Sequence, residues 1–360
     1  MPSVDQLAWS AGIEAASWIT PRLTVRKNRV TDIVPSGFDA YVRILHPAKR
    51  SGRGHLPGPV RWREIAAWSG SELLPRSQFH SVALPVQPRH AAPPWRHPYG
   101  PRQGTLTPED ASTLIPILRA STATPETCRF CLGAMYGYEP VVVLADGTRR
   151  YDLMHPPEGG RLVVETPMPE MAYSRAKLQL PFTTCLLYEG PIATALTGYP
   201  GRPPVQTATL WWPDDRAWCV GSHPELLWTY VAGPEKLAAR LAADPTLEAL
   251  PVTVDAPVTY VEPWVLERAA EVVDEALEYG DAALSTSMGT VDVVVRRKRD
   301  DGSGSTRLEV DWHSVLGFGG ERDGRTWPGV DDSQTIRREM AAFVSRWVVA
   351  LVGEWDPYGD

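Results

Sequence analysis

Proline occupies almost one position in ten of this chain, 35 of 360, and no other feature limits the fold as much. Each proline removes a backbone donor and clashes with the preceding helical turn. Long uninterrupted helices, coiled coils and helical solenoids are therefore excluded over most of the length, and many rigid turns are expected. The prolines are also unevenly placed. Seven of them fall between Leu74 and Gly104, a stretch that reads as an extended loop or a wrap between modules. A second group between Pro251 and Pro263 reads as a linker. These groups divide the chain into a basic helical and loop module over 1–105, an antiparallel sheet module over 106–255 and an α-β-β-α module over 256–360. The last is either a small domain of its own or a completion of the sheet.

Hydrophobic residues make up 43% and charged residues 22%, ordinary globular proportions that argue against wholesale disorder. Capping and periodicity place helices at 35–47 (Ser36 cap, Pro47 stop), at 61–68 and at 107–120, where Thr107 caps and Pro108 opens the first turn. Further helices are expected from Pro234, over 263–279 and over 333–355. Strand signals lie at 141–144 and 149–154 around Asp146-Gly147, at 162–165, at 185–188, at 207–212 and 216–220, and at 289–299 and 306–312. The expected class is α+β, an antiparallel sheet flanked by short helices and joined by Pro-rich loops.

The net charge of -7 conceals a polarity: residues 1–105 hold 14 Lys and Arg against 6 Asp and Glu. A basic first third attracts phosphate or acidic protein surfaces, whereas the acidic remainder repels nucleic acid. Arginines scattered over a solvated surface are the plain alternative. Lys49, Arg50, Arg53, His55, Arg61 and Arg63 form the densest basic cluster, but a pI near 5.7 argues against nucleic acid as a partner. No apolar run approaches the roughly 18 residues of a membrane span, and the first residues lack a basic-then-apolar leader. The expectation is a cytoplasmic chain whose four cysteines remain thiols.

The densest local signal is 209–220, where Trp211 and Trp212 on one arm and Trp218 on the other flank the turn Pro213-Asp214-Asp215-Arg216. Asp214 and Asp215, followed by Arg216, His223 and Glu225, have the residue types for divalent-metal binding or an acid and base pair. The same residues read equally as a turn whose aspartates bond their own backbone, beside ordinary cross-strand aromatic packing. On the expected first helix, Asp39 and Arg43 are four apart and His46 follows, either a polar cluster facing a cleft or a surface ion pair near a helix end. Trp62, Trp68 and Trp211 are candidates, with Trp95, for an aromatic pocket. Cys128 and Cys131 have the spacing of half a zinc site, but no second half lies nearby in sequence. Buried, inert thiols are the alternative. Gly317 to Gly324 fails the phosphate-loop order, because Arg322 stands where GxGxxG needs glycine. No motif designates a cofactor or a resident metal, and the oligomeric state is left open.

Residues 35–48, 60–68, 211–220, 229–233 and 244–250 resemble blocks of a family of uncharacterised actinobacterial proteins, over roughly 35–255. The resemblance implies an actinobacterial, cytoplasmic origin and no activity. Where the family is expected to read Ala-Thr-Glu-Ile-Asp after the Trp-Cys-Val block, this chain has Gly221-Ser-His-Pro-Glu225. The first functional expectation is a non-enzymatic protein-binding module of regulatory or immunity type, since Trp and Arg are the residues enriched at interface hot spots. The alternative is a metal-assisted hydrolase using Asp214, Asp215 and His223.

Overall fold

The computed structural model describes residues 8–9, 12–25, 27–50, 58–84, 94–95, 100–133, 141–143, 149–150, 161–163, 176–181, 183–196, 207–259, 263–286, 289–297, 306–314, 323–327 and 334–350. The chain divides into two compact units, one from 1–44, 103–224 and 228–256, the other from 45–102, 225–227 and 257–360. The boundaries expected near 105 and 255 lie beside two of these crossing points. Residues 1–44 and 45–102 fall in different units, however, so the first third is not one body.

The first unit is a nine-stranded sheet. Its strands are β1 (Ala8–Trp9), β2 (Ala40–Leu45), β3 (Cys128–Gly133), β4 (Leu178–Gln179), β5 (Thr184–Gly190), β6 (Leu210–Pro213), β7 (Cys219–Gly221), β8 (Trp228–Gly233) and β9 (Ala249–Val252). They lie in the order β1-β5-β3-β6-β7-β8-β2-β9, with β4 paired to β5. The ladders β5–β3, β3–β6, β6–β7 and β7–β8 are antiparallel. Cys128, Phe130, Leu132, Leu186, Tyr188, Trp211, Val220, Val231, Val42 and Ile44 belong to one core with Leu114, Ile117 and Leu118 of α3 (Pro108–Arg119) and Leu237 and Leu241 of α4 (Glu235–Ala243). The two helices therefore cover one sheet face. Cys131, Leu187, Leu210 and Cys219 take the alternate positions and are also buried. Their face is closed by the lead-in, whose Trp18 meets Trp212 edge-on at 6.0 Å, while Ile33 and Val34 press on Gly221.

That pressure explains the glycine. A Cβ at Gly221 would stand 2.6 Å from Val34 Cγ1 and 2.7 Å from the Ile33 carbonyl oxygen. Gly221→Ala is expected to destabilise the protein by about 2 kcal/mol through overpacking, read as a lower urea midpoint. An unchanged midpoint would mean that the 30–34 segment yields.

The α3 start follows the expected chemistry. Thr107 accepts the Asp110 N–H at 3.1 Å, Pro108 opens the first turn, and Glu109 and Asp110 face the positive helix end. Pro116 sits inside without ending the helix, which runs to Arg119. The expected hairpin of the middle third is present, with Leu210 opposite Gly221 and Trp211 opposite Val220. Val141–Val143 pairs with Arg149–Arg150 and with Arg161–Val163 in a separate small sheet. The remainder of those three expected segments lies outside the described residues.

Residues 35–47 do not form the expected helix. Ala40–Leu45 is strand β2, between β8 and β9. Tyr41 to Leu45 are all buried, so both strand faces are covered and no polar helical face is needed. The apolar spacing fits a helix, but Tyr41, Val42 and Ile44 are strand formers, and the sheet neighbours decide.

In the second unit, α1 (Trp62–Ser69) ends at Gly70, whose φ of 79° gives a left-handed cap. Among its described residues, the loop expected over 74–104 contains a short helix, α2 (Phe79–Ala83). Phe79 and Trp95 pack edge-on at 5.8 Å, and Gln78 Nε2 donates to Val258 O at 3.3 Å. Helix α5 (Pro263–Tyr279) has the expected bounds, and α6 (Gln334–Ala350) follows the sheet. Between them, the two expected strands gain two more. β10 (Asp281–Thr286), β11 (Gly289–Arg297), β12 (Thr306–Ser314) and β13 (Asp323–Trp327) form an antiparallel meander in that order, so this segment has its own sheet. Of the glycine-rich stretch 317–324, residues 317–322 lie outside the described residues, as do His90 and His97, Arg53 and His55, and 351–355 of the last expected helix.

Candidate functional site

The turn between β6 and β7 carries Asp214, Asp215 and Arg216. Asp215 is a bracing residue there. Its carboxylate accepts the Thr122 hydroxyl at 2.8 Å, the Ala123 N–H at 2.7 Å and the Ala217 N–H at 3.1 Å, while its own N–H donates to Thr124 Oγ1 at 3.0 Å. Partial burial pushes its pKa up, but these donors outweigh that and hold the carboxyl below its ordinary value. It therefore ties the 122–124 loop to the hairpin. Asp214 pairs with Arg129, which also bridges to Glu189.

The sign of the Asp215 shift fixes its pH behaviour. A depressed carboxylate adds stability above the ordinary value near 4 and loses it as pH falls through the folded value. Asp215→Ala is expected to cost about 1 kcal/mol at pH 7, with exposure keeping the figure small. The difference from the parent should shrink below pH 4 in urea titrations, and a constant difference would contradict this role.

His223 is not part of that turn. Strand β7 leads away from it, Ser222 N–H donates to Thr209 O at 2.8 Å, and about 13 Å of extended chain separates Cys219 from His223 at about 3.3 Å per residue. Burial drives the His223 pKa down to about 4, so its imidazole is neutral at pH 7. The structure thus brings Asp214 and Asp215 onto one turn and leaves His223 beyond the opposite end of the hairpin.

Asp39, Arg43 and His46 are likewise parted. On a strand, four residues span about 13 Å, beyond ion-pair reach. Asp39 is exposed, whereas Arg43 is buried with its guanidinium 4.7 Å from the Trp228 ring centre. His46 follows β2 and is fully buried. Its Nδ1 lies 2.7 Å from Arg102 O and so carries the proton, and its own carbonyl accepts the Trp62 indole N–H at 2.8 Å. Burial lowers its pKa to about 4. This is a neutral structural histidine.

The tryptophans occupy separate cores. Trp62 meets Phe79 edge-on at 5.2 Å and Trp68 meets Trp95 at 5.3 Å, all in the second unit. Trp211 stacks on Phe130 at 6.0 Å and meets Trp218 at 5.3 Å in the first. Trp218 in turn donates to Leu118 O at 3.0 Å. Cys128 and Cys131, three apart on β3, take opposite sheet faces and do not share an ion. Burial pushes the Cys128 thiol up to about 12. On the other face, Cys131 lies beside Cys185, with Cys219 near, and burial followed by the Cys185 thiol raises Cys131 well above its ordinary value. Among the described residues, no group of three or more His, Cys, Asp or Glu side chains is placed to hold a metal ion. Nor is any helix among them long and apolar enough to cross a membrane.

Two exposed arrangements were not anticipated from the sequence. Arg216, with a left-handed φ of 56°, places its guanidinium 5.5 Å from the centre of Trp18, and Arg22 places its own 5.6 Å from the same ring. Almost 200 positions separate Trp18 from Arg216, so no local pattern joins them. On α5, Trp264, Leu266 and Tyr279 remain 38%, 37% and 70% exposed. Trp264 lies off the buried face, whereas Leu266, seven residues before Val273, and Tyr279, seven after Val272, extend that face beyond its covered part at the two helix ends. No protein-family model, curated protein or solved structure matches the chain.

Proposed function

We propose that the chain is a non-enzymatic protein-binding module of regulatory or immunity type, and that α5 carries its partner surface. The supporting observation is the solvent side of that helix. Val265, Ala269, Val272, Val273, Ala276 and Leu277 are buried, which accounts for the amphipathic pattern, yet Trp264 and Tyr279 remain exposed at the two ends. Between them Glu267, Glu271, Glu275 and Glu278 form one exposed acidic stripe at i, i+4, i+8 and i+11, in which Glu271 is paired with Arg268. Aromatic anchors bordering a predominantly acidic stripe suit a protein partner with a basic surface, the aromatics supplying affinity and the charge steering encounter.

The hydrolase alternative has less support, because Asp215 is occupied as a brace and His223 lies apart from it. In an affinity pull-down from host lysate, the wild-type protein should retain one partner in stoichiometric amount. A Trp264→Ala/Tyr279→Ala variant of unchanged melting temperature should lose it. Identical profiles for the two proteins would overturn the assignment to α5, and no partner above background at low salt would overturn protein binding itself.

A further inference from the structure

We propose that Arg22 and Arg216, seated on Trp18, form a recognition point for an acidic peptide segment, which they bind through two of its carboxylates. This surface belongs to the sheet unit and does not depend on the reading of α5. Both guanidiniums lie within 5.6 Å of one ring centre, and they are therefore no more than about 11 Å apart. The ring is a fixed platform, 8% exposed and held edge-on by Phe38 at 6.2 Å and Trp212 at 6.0 Å. Stacking on it restricts two long side chains before any ligand arrives, which lowers the ordering cost of binding.

Among the described residues their charges are also unanswered. Arg29, Arg119 and Arg129 of the same unit are each paired with a carboxylate, of Asp255, Glu126 and Glu189 respectively. Arg22 and Arg216 are exposed and form no ion pair among the described residues. The nearby acids do not neutralise them: Asp215 is held by Thr122, Ala123 and Ala217, Asp214 by Arg129, and Asp32 by the Lys27 and Arg29 N–H groups, while Glu14 and Asp39 form no ion pair with either among the described residues. Arg216 moreover sits in left-handed backbone, where glycine or asparagine is favoured. An arginine kept there at some local cost is consistent with a use for its side chain.

The chemistry selects the ligand. A guanidinium fork matches carboxylate geometry, and carboxylates at alternate positions of an extended peptide lie about 7 Å apart on one side, below the upper limit of about 11 Å on the separation of the two guanidiniums. Nucleic acid presents a similar phosphate spacing, but single strands are held by bases stacking on exposed aromatic rings, and the Trp18 ring is only 8% exposed.

Calorimetric titration of the full chain with deca-glutamate at pH 7 and low salt tests this, with inorganic phosphate and a single-stranded decanucleotide as comparators. The parent should bind deca-glutamate saturably and at least tenfold more tightly than Arg22→Gln/Arg216→Gly, and more tightly than either comparator. Arg216→Gly suits the left-handed backbone, and that single variant, at an unchanged melting temperature, should also bind more weakly than the parent. Arg29→Gln, which removes the same charge from an arginine paired with Asp255, should leave binding within twofold. Equal binding by parent and double variant, an Arg29→Gln loss as large as theirs, no saturable binding, or preference for phosphate or the oligonucleotide would each overturn the proposal.

Discussion

Trp62→Ala should lower the stability of the second unit by about 4 kcal/mol, the range for emptying a buried tryptophan site. Trp62 has no exposed surface, packs against Phe79 at 5.2 Å, and donates its indole N–H to the His46 carbonyl at 2.8 Å. Truncation removes the ring and leaves that buried carbonyl short of a donor, so cavity and polar costs act together. Trp62→Phe refills most of the volume and lacks only the donor, and should recover more than half of the loss. The measurement is denaturant unfolding followed by a probe within 45–102, because a chain of two units does not have to unfold in one step. A loss below about 1 kcal/mol for the alanine variant would mean that Trp62 is a surface residue with a ligand role, as its sequence context also allowed.

Acid should weaken the same unit through His46. With a folded pKa near 4 against an ordinary 6.5, the unfolded chain binds more protons between those values. Stability is therefore complete above about pH 6.5 and is lost progressively as pH falls to about 4. The full shift corresponds to about 3 kcal/mol for this fully buried ring. His223, shifted the same way by burial, should add a similar or smaller loss in the sheet unit. His46→Gln, which retains a donor toward Arg102 O, should flatten the dependence of its unit between pH 4 and 6.5 while leaving the sheet unit's dependence in place. Parallel curves for parent and variant would contradict the assignment.

Elements with explicit local punctuation were legible from sequence. Thr107-Pro108 starts α3, Pro263 starts α5 and Gly280, at a φ of 99°, follows it. The Pro213–Arg216 turn sets the hairpin. Strand β2 was not legible, since its apolar spacing serves both periods and only its position between β8 and β9 resolves the ambiguity. The surroundings of the polar candidates were not legible for a related reason. Asp215 and His46 are chemically competent residue types, but competence does not reveal that Thr122 and Ala123 come to Asp215 or that Arg102 O comes to His46. The Arg22–Trp18–Arg216 cluster depends on the lead-in folding across the sheet, a nonlocal event with no periodicity to announce it. The prolines limit helix length as expected: α5 and α6, at 17 residues each, are the longest helices among the described residues.

Hydroxyl-radical footprinting of the protein, free and in its isolated partner complex, tests the central claim most directly, because Trp264 and Tyr279 are themselves reactive side chains. Both should be oxidised in the free chain and protected several-fold in the complex, with little change at Trp62 and Trp211, which are buried in either state. Undiminished oxidation of Trp264 and Tyr279 in a saturated complex would contradict α5 as the partner surface.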